Sequence, residues 1–338
     1  MVIAADELEV ARDAAGKDVA PHGVTEGRGE AIEPLHVVTG AFGFTGNSIT
    51  RRLLTMGARV RTLTRDLGRP NPFGNQLSVA AYNFDNADEL ARSLEGAAVL
   101  YNTYWVRFVS GRATFETAVA NSLRLLHACE TAGVPRIVHL SVTNASEHSP
   151  LPYFRGKGRV ERAIVSSGLS YAILRPPLVF GPGDILVNNI AWFLRRFPLF
   201  AMMGDGRYRL QCVYVEDLAE VAIGSASGSG RVVSDVVGPE IYSFAEFVRC
   251  IATTIGSRTR IVHLSPFLVR RLLGLADIIV RDVVLTPDEI TGLMSELLVS
   301  QSPPLGRTRF RDWIAQAGET LGRTYASEMD RHYRRHSS

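Results

Sequence analysis

From Leu35 to Arg175, short apolar runs alternate with amphipathic stretches, and no other feature of the chain limits its fold so tightly. Leu35–Thr39 is a short apolar run, followed by a glycine-rich turn and a helical pattern over 47–56 that Gly57 ends. Strand patterns follow at Arg59–Thr64, 77–84, 98–103, 136–142 and Ser170–Arg175, with helical patterns at 88–94, 114–132 and 152–167 between them. Gly133 and Pro135 terminate the longest of these helices, as residues that cannot continue a helical ladder do. Strands and helices alternating at this pitch predict a parallel sheet with right-handed crossovers, an α/β doubly wound fold.

Beyond Pro176 the alternation breaks down into Gly/Pro-rich segments with isolated helices. This predicts a dinucleotide-type domain over 34–180 plus 213–237 and a smaller, mostly helical substrate lobe over 181–212 plus 238–338. The runs 213–215 and 231–237 are expected to return to the main sheet. Residues 1–33 lack apolar periodicity and read as a disordered leader; Asp6, Glu7 and Glu9 stand where a signal peptide needs a basic start. The apolar stretch 267–285 is interrupted by Arg270, Arg271, Asp277, Arg281 and Asp282, too charged to span a bilayer. It reads as a buried helix, with peripheral membrane contact left open.

With 46% hydrophobic and 21% charged residues and a formal charge of +3, the 338-residue chain has the composition of a soluble globular protein. That charge is too small, and the arginines too dispersed, to argue for nucleic acid. Cys129, Cys212 and Cys250 are far apart and the histidines form no ligand-spaced cluster, so a metal is not expected and a reducing cytoplasm fits best. A homodimer is left open.

The turn Thr39-Gly40-Ala41-Phe42-Gly43-Phe44-Thr45-Gly46 sits between the first strand and the first helix. Gly40 permits the tight turn, Gly43 lets backbone approach a pyrophosphate, and Gly46 lets the helix pack closely on the strand. The helix N-terminus supplies amide donors to phosphates. At the end of the second strand, where an acidic residue holds the ribose of NAD, the chain has Thr64 followed by Arg65. A guanidinium forms paired, charge-assisted bonds to a 2′-phosphate, which favours NADP(H). Asp66 keeps NAD(H) in play, and Arg65 could equally solvate a strand end.

Only two of the 37 basic residues are lysines, and one of them, Lys157, follows Tyr153 by four positions. That spacing puts both side chains on one helical face, where an ammonium can stabilise a phenolate. A surface pair is the plainer alternative.

These segments together resemble the short-chain dehydrogenase/reductase superfamily, and more closely its extended and atypical branches of NAD(P)-dependent epimerase/dehydratase-like proteins. The resemblance covers about 34–250 and rests on TGAFGFTG (39–46), VRTLTR (60–65), YFRGK (153–157), LRPPLVFGPGD (174–184) and VYVEDLAE (213–220). It implies a Rossmann fold with Tyr153 as general acid/base and Lys157 binding the nicotinamide ribose while depressing the tyrosine pKa. It implies a hydroxyl partner at the end of the fifth strand, where Ser141 and Thr143 are both available and Ser141 is favoured, with Asn144 nearby. Cofactor contacts are implied for Gly40, Phe42, Gly43, Phe44, Thr45 and Gly46, and for Arg65. Asn83 and Phe84 would lie by the adenine, Asn102 and Thr103 by the ribose, and Pro176, Pro177 and Leu178 along the carboxamide.

The chain departs from the sugar-nucleotide enzymes of this resemblance in reading Thr143-Asn144-Ala145-Ser146 where they carry Val-Tyr-Gly, and in Thr64. Gly156 and Gly158 flank Lys157, either permitting close cofactor approach or marking a relaxed helix. Tyr101, Tyr104 and Trp105 make the fourth-strand end bulky, as a substrate wall or as core. Trp192, Phe193, Phe197, Phe200, Met202 and Met203 suggest an apolar or amphipathic small-molecule substrate, or ordinary core. The expected function is an NADP(H)-dependent oxidoreductase acting on a carbonyl or alcohol carbon. The alternatives are a non-catalytic NAD(P)-binding redox sensor or assembly subunit and, with less support, a nucleotide-sugar epimerase/dehydratase.

Overall fold

The computed structural model describes residues 33–332; the leader expected over 1–33 falls, but for its last residue, outside them. The chain runs β1 (Leu35–Thr39), α1 (Phe44–Thr55), β2 (Arg59–Thr64), β3 (Leu77–Ala81), α2 (Ala87–Arg92), β4 (Ala97–Asn102), α3 (Phe115–Thr131), β5 (Arg136–Leu140), α4 (Pro152–Ser166) and β6 (Ser170–Arg175). It continues through β7 (Leu178–Phe180), α5 (Ile185–Arg196), β8 (Leu199–Met203), β9 (Arg209–Tyr214), α6 (Val215–Gly224) and β10 (Val232–Asp235). Last come β11 (Ile241–Ser243), α7 (Phe244–Thr254), β12 (Arg260–Leu264), α8 (Pro266–Val280), α9 (Pro287–Met294), α10 (Phe310–Ala317) and α11 (Glu328–His332).

Seven parallel strands form the main sheet in the order β10-β6-β5-β4-β1-β2-β3. The order reverses at β1, which leaves a crevice at the carboxyl ends of β1 and β4, the place where doubly wound sheets bind ligands. The central strands β1, β4, β5 and β6 are largely buried on both sides because helices cover both faces. Val37, Leu100, Ile137 and Ile173 turn one way, against Leu90, Leu125 and Val160. Val38, Tyr101, Val138 and Ala172 turn the other, against Ile49, Leu53 and Leu218. Local chemistry sets the element ends: the Thr114 hydroxyl caps α3 by accepting from Thr117 N (3.0 Å), and Gly57 and Gly133 follow α1 and α3 at φ +81° and +66°.

Two expectations are corrected. The strand over 77–84 stops at Ala81, and Asn83 turns away at φ +43°, a conformation asparagine tolerates better than most residues. Val213 does not return to the main sheet; it lies in β9, between β7 and β11 in a separate three-stranded sheet, and only β10 rejoins the main sheet beside β6. β8 and β12 pair in a two-stranded sheet, so strands as well as helices build the region after β7. Phe180, Phe247, Phe310 and Trp313 pack there in mutual ring contacts.

Candidate active site

The glycine-rich turn closes on itself, with Gly43 N donating to Gly40 O (2.8 Å). Gly40 has φ +70°, and a Cβ on Gly46 would lie 2.2 Å from the Gly40 carbonyl oxygen, so α1 presses on the turn as only glycine allows. Gly43 caps α1 without a side-chain bond, and no acidic residue stands in the first turn to compete with an anion there. Phe42, Phe44 and Thr45 are half-buried around it. This cradle fits a dinucleotide pyrophosphate.

Arg65 is exposed just past β2. Asp66 is turned into its own loop, its Oδ1 accepting from Gly68 N (3.1 Å). Sequence reasoning missed Arg69, whose Nη2 donates to the Phe42 carbonyl (3.0 Å) with the guanidinium over the Phe42 ring. Asn83 is exposed, while Phe84 stacks on Tyr82 at 4.7 Å and meets Tyr104 at 5.2 Å.

The ends of β1, β4 and β5 are tied together by polar side chains. Thr103 N and Tyr104 N donate to Thr39 Oγ1 (2.7 and 3.0 Å), Tyr104 N also donates to Asn102 Oδ1 (3.0 Å), and the Asn102 amide nitrogen meets His139 Nδ1 (3.1 Å). Burial and the nearby Lys157 hold His139 well below the usual histidine range, so it is neutral. Asn102 is 1% exposed and serves this tie.

Tyr153 and Lys157 share α4 but have different partners. Lys157 Nζ donates to the Leu140 carbonyl (2.7 Å) and lies 4.6 Å from the centre of the Trp105 ring. Burial pulls its pKa down to about 7, with Glu161 opposing. Tyr153 packs edge-on against Trp105, Phe115 and Phe154, and burial pushes its hydroxyl above the ordinary range, with Glu289 adding to the rise and Arg107 opposing it. For Tyr153, burial is the largest influence and acts against the depression that the resemblance implies for Lys157.

The two hydroxyls at the end of β5 differ. Thr143 Oγ1 donates to Arg175 O (3.1 Å), whereas Ser141 Oγ is buried with no hydrogen-bond partner among the described residues. Asn144 sits at φ +59° and donates to the carbonyls of Leu297 and Val299, a link to the last third of the chain.

The glycines flanking Lys157 have other work than either reading gave them. A Cβ on Gly156 would touch the Trp105 indole at 3.0 Å, and one on Gly158 would lie 2.3 Å from the backbone at Ser146 and Glu147. They seat the helix on a neighbouring ring and loop. Of the bulky fourth-strand residues, Tyr101 is buried core, Tyr104 packs on Tyr82 and Phe84, and Trp105 covers Lys157.

A cavity of about 1090 Å³ opens beside Tyr153. Phe193, Phe197, Phe200 and Met203 line it, while Met202 is buried core and Trp192 packs edge-on against Tyr325. Pro177 and Leu178 reach it and Ser141 does not. Its polar lining includes Arg107, Asp184 and Glu289. Arg107 Nε donates to Glu289 Oε1 (2.7 Å), and its Nη1 lies 3.6 Å from Glu328. Asp184 caps α5, accepting from Leu186 N and Val187 N, and burial lifts its carboxyl to about 6. Arg107, Glu289 and Glu328 come from distant parts of the chain, and no sequence pattern announces them. Among the described residues no cluster suits a metal ion, and no helix is long and apolar enough to cross a membrane.

A phosphate-sized cradle at the reversal point of a parallel sheet, next to an apolar chamber, is the arrangement of an NAD(P)-dependent oxidoreductase. More narrowly, the chain belongs to the NAD-dependent epimerase/dehydratase family, whose model matches residues 36–227. It is similar to the mitochondrial NADH dehydrogenase [ubiquinone] 1 alpha subcomplex subunit 9 of Arabidopsis thaliana, 25% identical over 82% of this chain and 74% of that one. It is also similar to the ceramide reductase of Caulobacter vibrioides, 27% identical over 67% of this chain and 72% of the reductase. Among solved structures, MoeE5 in complex with UDP-glucose and NAD superposes with a TM-score of 0.58 at 25% identity, over 68% of this chain and 85% of MoeE5.

Proposed function

We propose that this protein is an NADP(H)-dependent oxidoreductase of the short-chain dehydrogenase/reductase type, acting on the carbonyl or alcohol carbon of a long-chain amphiphile. The observation that carries this reading is the cavity: Tyr153 stands in its wall, its polar lining includes the Arg107–Glu289 pair, Asp184 and Glu328, and most of the rest is apolar side chain. A substrate with a polar carbonyl head and a long apolar tail matches that division. The similarity to a ceramide reductase agrees with it.

When bound, NADP(H) supplies or accepts the hydride. Tyr153 gives the carbonyl oxygen its proton. Ser141 does not line the cavity; its hydroxyl, without a partner among the described residues, turns into it to donate to the same oxygen when substrate is bound, while Thr143 holds the β6 backbone. Lys157 turns from the Leu140 carbonyl to the ribose and the phenolate. Its pKa of about 7 lets it gain a proton at little cost near neutrality.

A second reading, a non-catalytic NAD(P)-binding assembly subunit, draws on the same lysine, which bonds the Leu140 carbonyl rather than Tyr153, and on the similarity to subunit 9. Following NADPH oxidation across a series of keto-amphiphiles with one head group and increasing chain length separates the two. Rising kcat/KM with chain length supports the enzyme; absence of turnover throughout, with NADP(H) still bound, supports the subunit.

A further inference from the structure

The cavity is not sealed. Four of its large apolar lining residues are themselves exposed: Phe197 (38%) and Leu199 (55%) around the start of β8, Leu272 (47%) on α8, and Val109 (56%) in the segment after β4. Large apolar side chains that face both a chamber and the solvent mark a mouth.

Phe197 and Leu199 also line a second groove, of about 680 Å³, shared with Arg195, Arg196, Arg258 and Arg260. Arg260 pairs with Leu199 across the β8–β12 ladder. No carboxylate lines this groove. Among the described residues Arg195 and Arg196 donate to main-chain carbonyls, at Leu321, Gly318, Gly322 and Arg323 among others, and the Arg196 guanidinium lies 4.7 Å from the Trp192 ring centre, so neither charge meets a carboxylate. Among the described residues none of the four forms an ion pair.

α8 continues the same character. It leaves Phe267 (65%) and Leu268 (49%) exposed, with the Arg271 guanidinium 5.3 Å from the Phe267 ring centre. Its other side closes the chamber through Val269. Between Glu246 and Asp277 the sequence has five arginines and no acidic residue. The expectation of a plainly buried helix over 267–285 is thus corrected: α8 buries Val269 but leaves Phe267, Leu268 and Leu272 exposed. Exposed aromatic and aliphatic side chains beside basic ones are what the boundary of an anionic bilayer accommodates.

We propose that this face docks the protein on an anionic lipid bilayer, with the arginine groove on the headgroups and α8 at the acyl boundary, so that an apolar ligand enters the cavity directly from the membrane. The substrate part of this inference rests on the proposed function; the docking does not. An anionic bilayer is the occupant that answers both the groove's arginines and the exposed apolar residues beside them, and it carries the class of ligand that the chamber fits.

Vesicle flotation of the full chain tests the docking without any turnover. The protein should float with phosphatidylcholine–phosphatidylglycerol vesicles, stay behind with phosphatidylcholine alone, and be released by salt. Each arginine near an anionic surface contributes about fivefold in affinity, so Arg258→Glu with Arg260→Glu should weaken binding at least about twentyfold. Phe267→Ser with Leu268→Ser, neither of which lines the cavity, should weaken it as well. Melting curves of both double variants should match the parent. Equal binding to both vesicle types, no binding to either, or indifference to both double variants would overturn the proposal. So would inorganic phosphate at millimolar level shifting the melting temperature through Arg258 and Arg260 while vesicles are ignored, since the groove would then serve a soluble anion.

Discussion

The carboxyl edge of the main sheet and the cavity beside it are built on opposite plans. At the edge, polar groups bond one another across neighbouring strands: Thr39 to the start of the segment after β4, Asn102 to His139, Lys157 to Leu140. Few degrees of freedom remain, and among the described residues Ser141 Oγ and His139 Nε2 are the buried polar atoms of β5 and its end left without a hydrogen-bond partner. In the cavity, apolar side chains surround a polar cluster in which Arg107 and Glu289 meet from 182 positions apart. The edge fixes chemistry with groups that cannot move far. The chamber sets which molecule reaches it, through size and apolarity that many sequences could supply.

The largest effect should come where the two regions meet. Tyr153→Phe removes one oxygen from the chamber wall and leaves the ring contacts with Trp105, Phe115 and Phe154 in place. General acid–base groups contribute about 10²–10⁴ in rate, so turnover of any substrate found by screening should fall by that factor. Calorimetry should show NADP(H) affinity and melting temperature within error of the parent. An active Tyr153→Phe protein would sever the edge from the chamber and leave the cavity without a proton donor.

The lysine offers a measurement internal to the edge. Its folded pKa of about 7 lies below the 10.5 of a free lysine, so between those values the unfolded chain holds a proton that the fold does not. Stability from this group therefore rises with pH across that window, and the full burial cost is felt below about 7. Lys157→Met removes the cost. Chemical denaturation should find the variant gaining on the parent most at pH 7, with the gap closing by about 1 kcal/mol per pH unit toward 9. A gap that does not change with pH would mean that Lys157 stays charged in the fold.

Smaller still is the contrast between the glycines beside it. A Cβ on Gly158 meets backbone that has nowhere to go, so Gly158→Ala should cost about 1–3 kcal/mol despite the better helix former. At Gly156 the neighbour is the Trp105 indole, a side chain that can shift by tenths of an ångström, and Gly156→Ala should move thermal stability by under about 1 kcal/mol. Equal costs would show that the ring is as fixed as the loop.

These glycines also show where the sequence stopped being legible. The main sheet could be read because its signals are local: apolar alternation and the glycines, Gly57 and Gly133, at helix ends. The turn at 39–46 was readable for the same reason. For Gly156 and Gly158 the sequence offers only cofactor clearance or a relaxed helix, because Trp105 and the Ser146–Glu147 backbone are neighbours only in space. Val213 carries a strand pattern, but nothing in that pattern says which sheet it joins. Arg107, Glu289 and Glu328 have no common spacing, and Arg69 looks like any loop arginine until it is seen on the Phe42 carbonyl. The choice between Ser141 and Thr143 was open in the sequence because both are hydroxyls at a strand end, and only the hydrogen bonds distinguish them.

The finest distinction lies within the edge itself, between two arginines that face the cofactor cradle from different positions. Arg65 is exposed past β2, where a ribose 2′-phosphate would come, and the carboxylate that would favour NAD, Asp66, is bonded to Gly68 N. Arg69 braces the glycine-rich turn through the Phe42 carbonyl and so supports whichever dinucleotide binds. A charge-assisted hydrogen bond contributes about 1.5–3 kcal/mol, so Arg65→Ala should weaken NADP(H) binding by about tenfold or more and leave NAD(H) unchanged. Arg69→Ala should weaken both by a similar, smaller factor. Calorimetric titration of each variant with both cofactors reads the four affinities. If Arg65→Ala lowers NADP(H) and NAD(H) alike, or the parent prefers NAD(H), the 2′-phosphate is not read at Arg65 and the NADP(H) preference fails. If Arg69→Ala alone is selective for NADP(H), the phosphate is bound over the turn, one loop further along the chain than the strand end suggests.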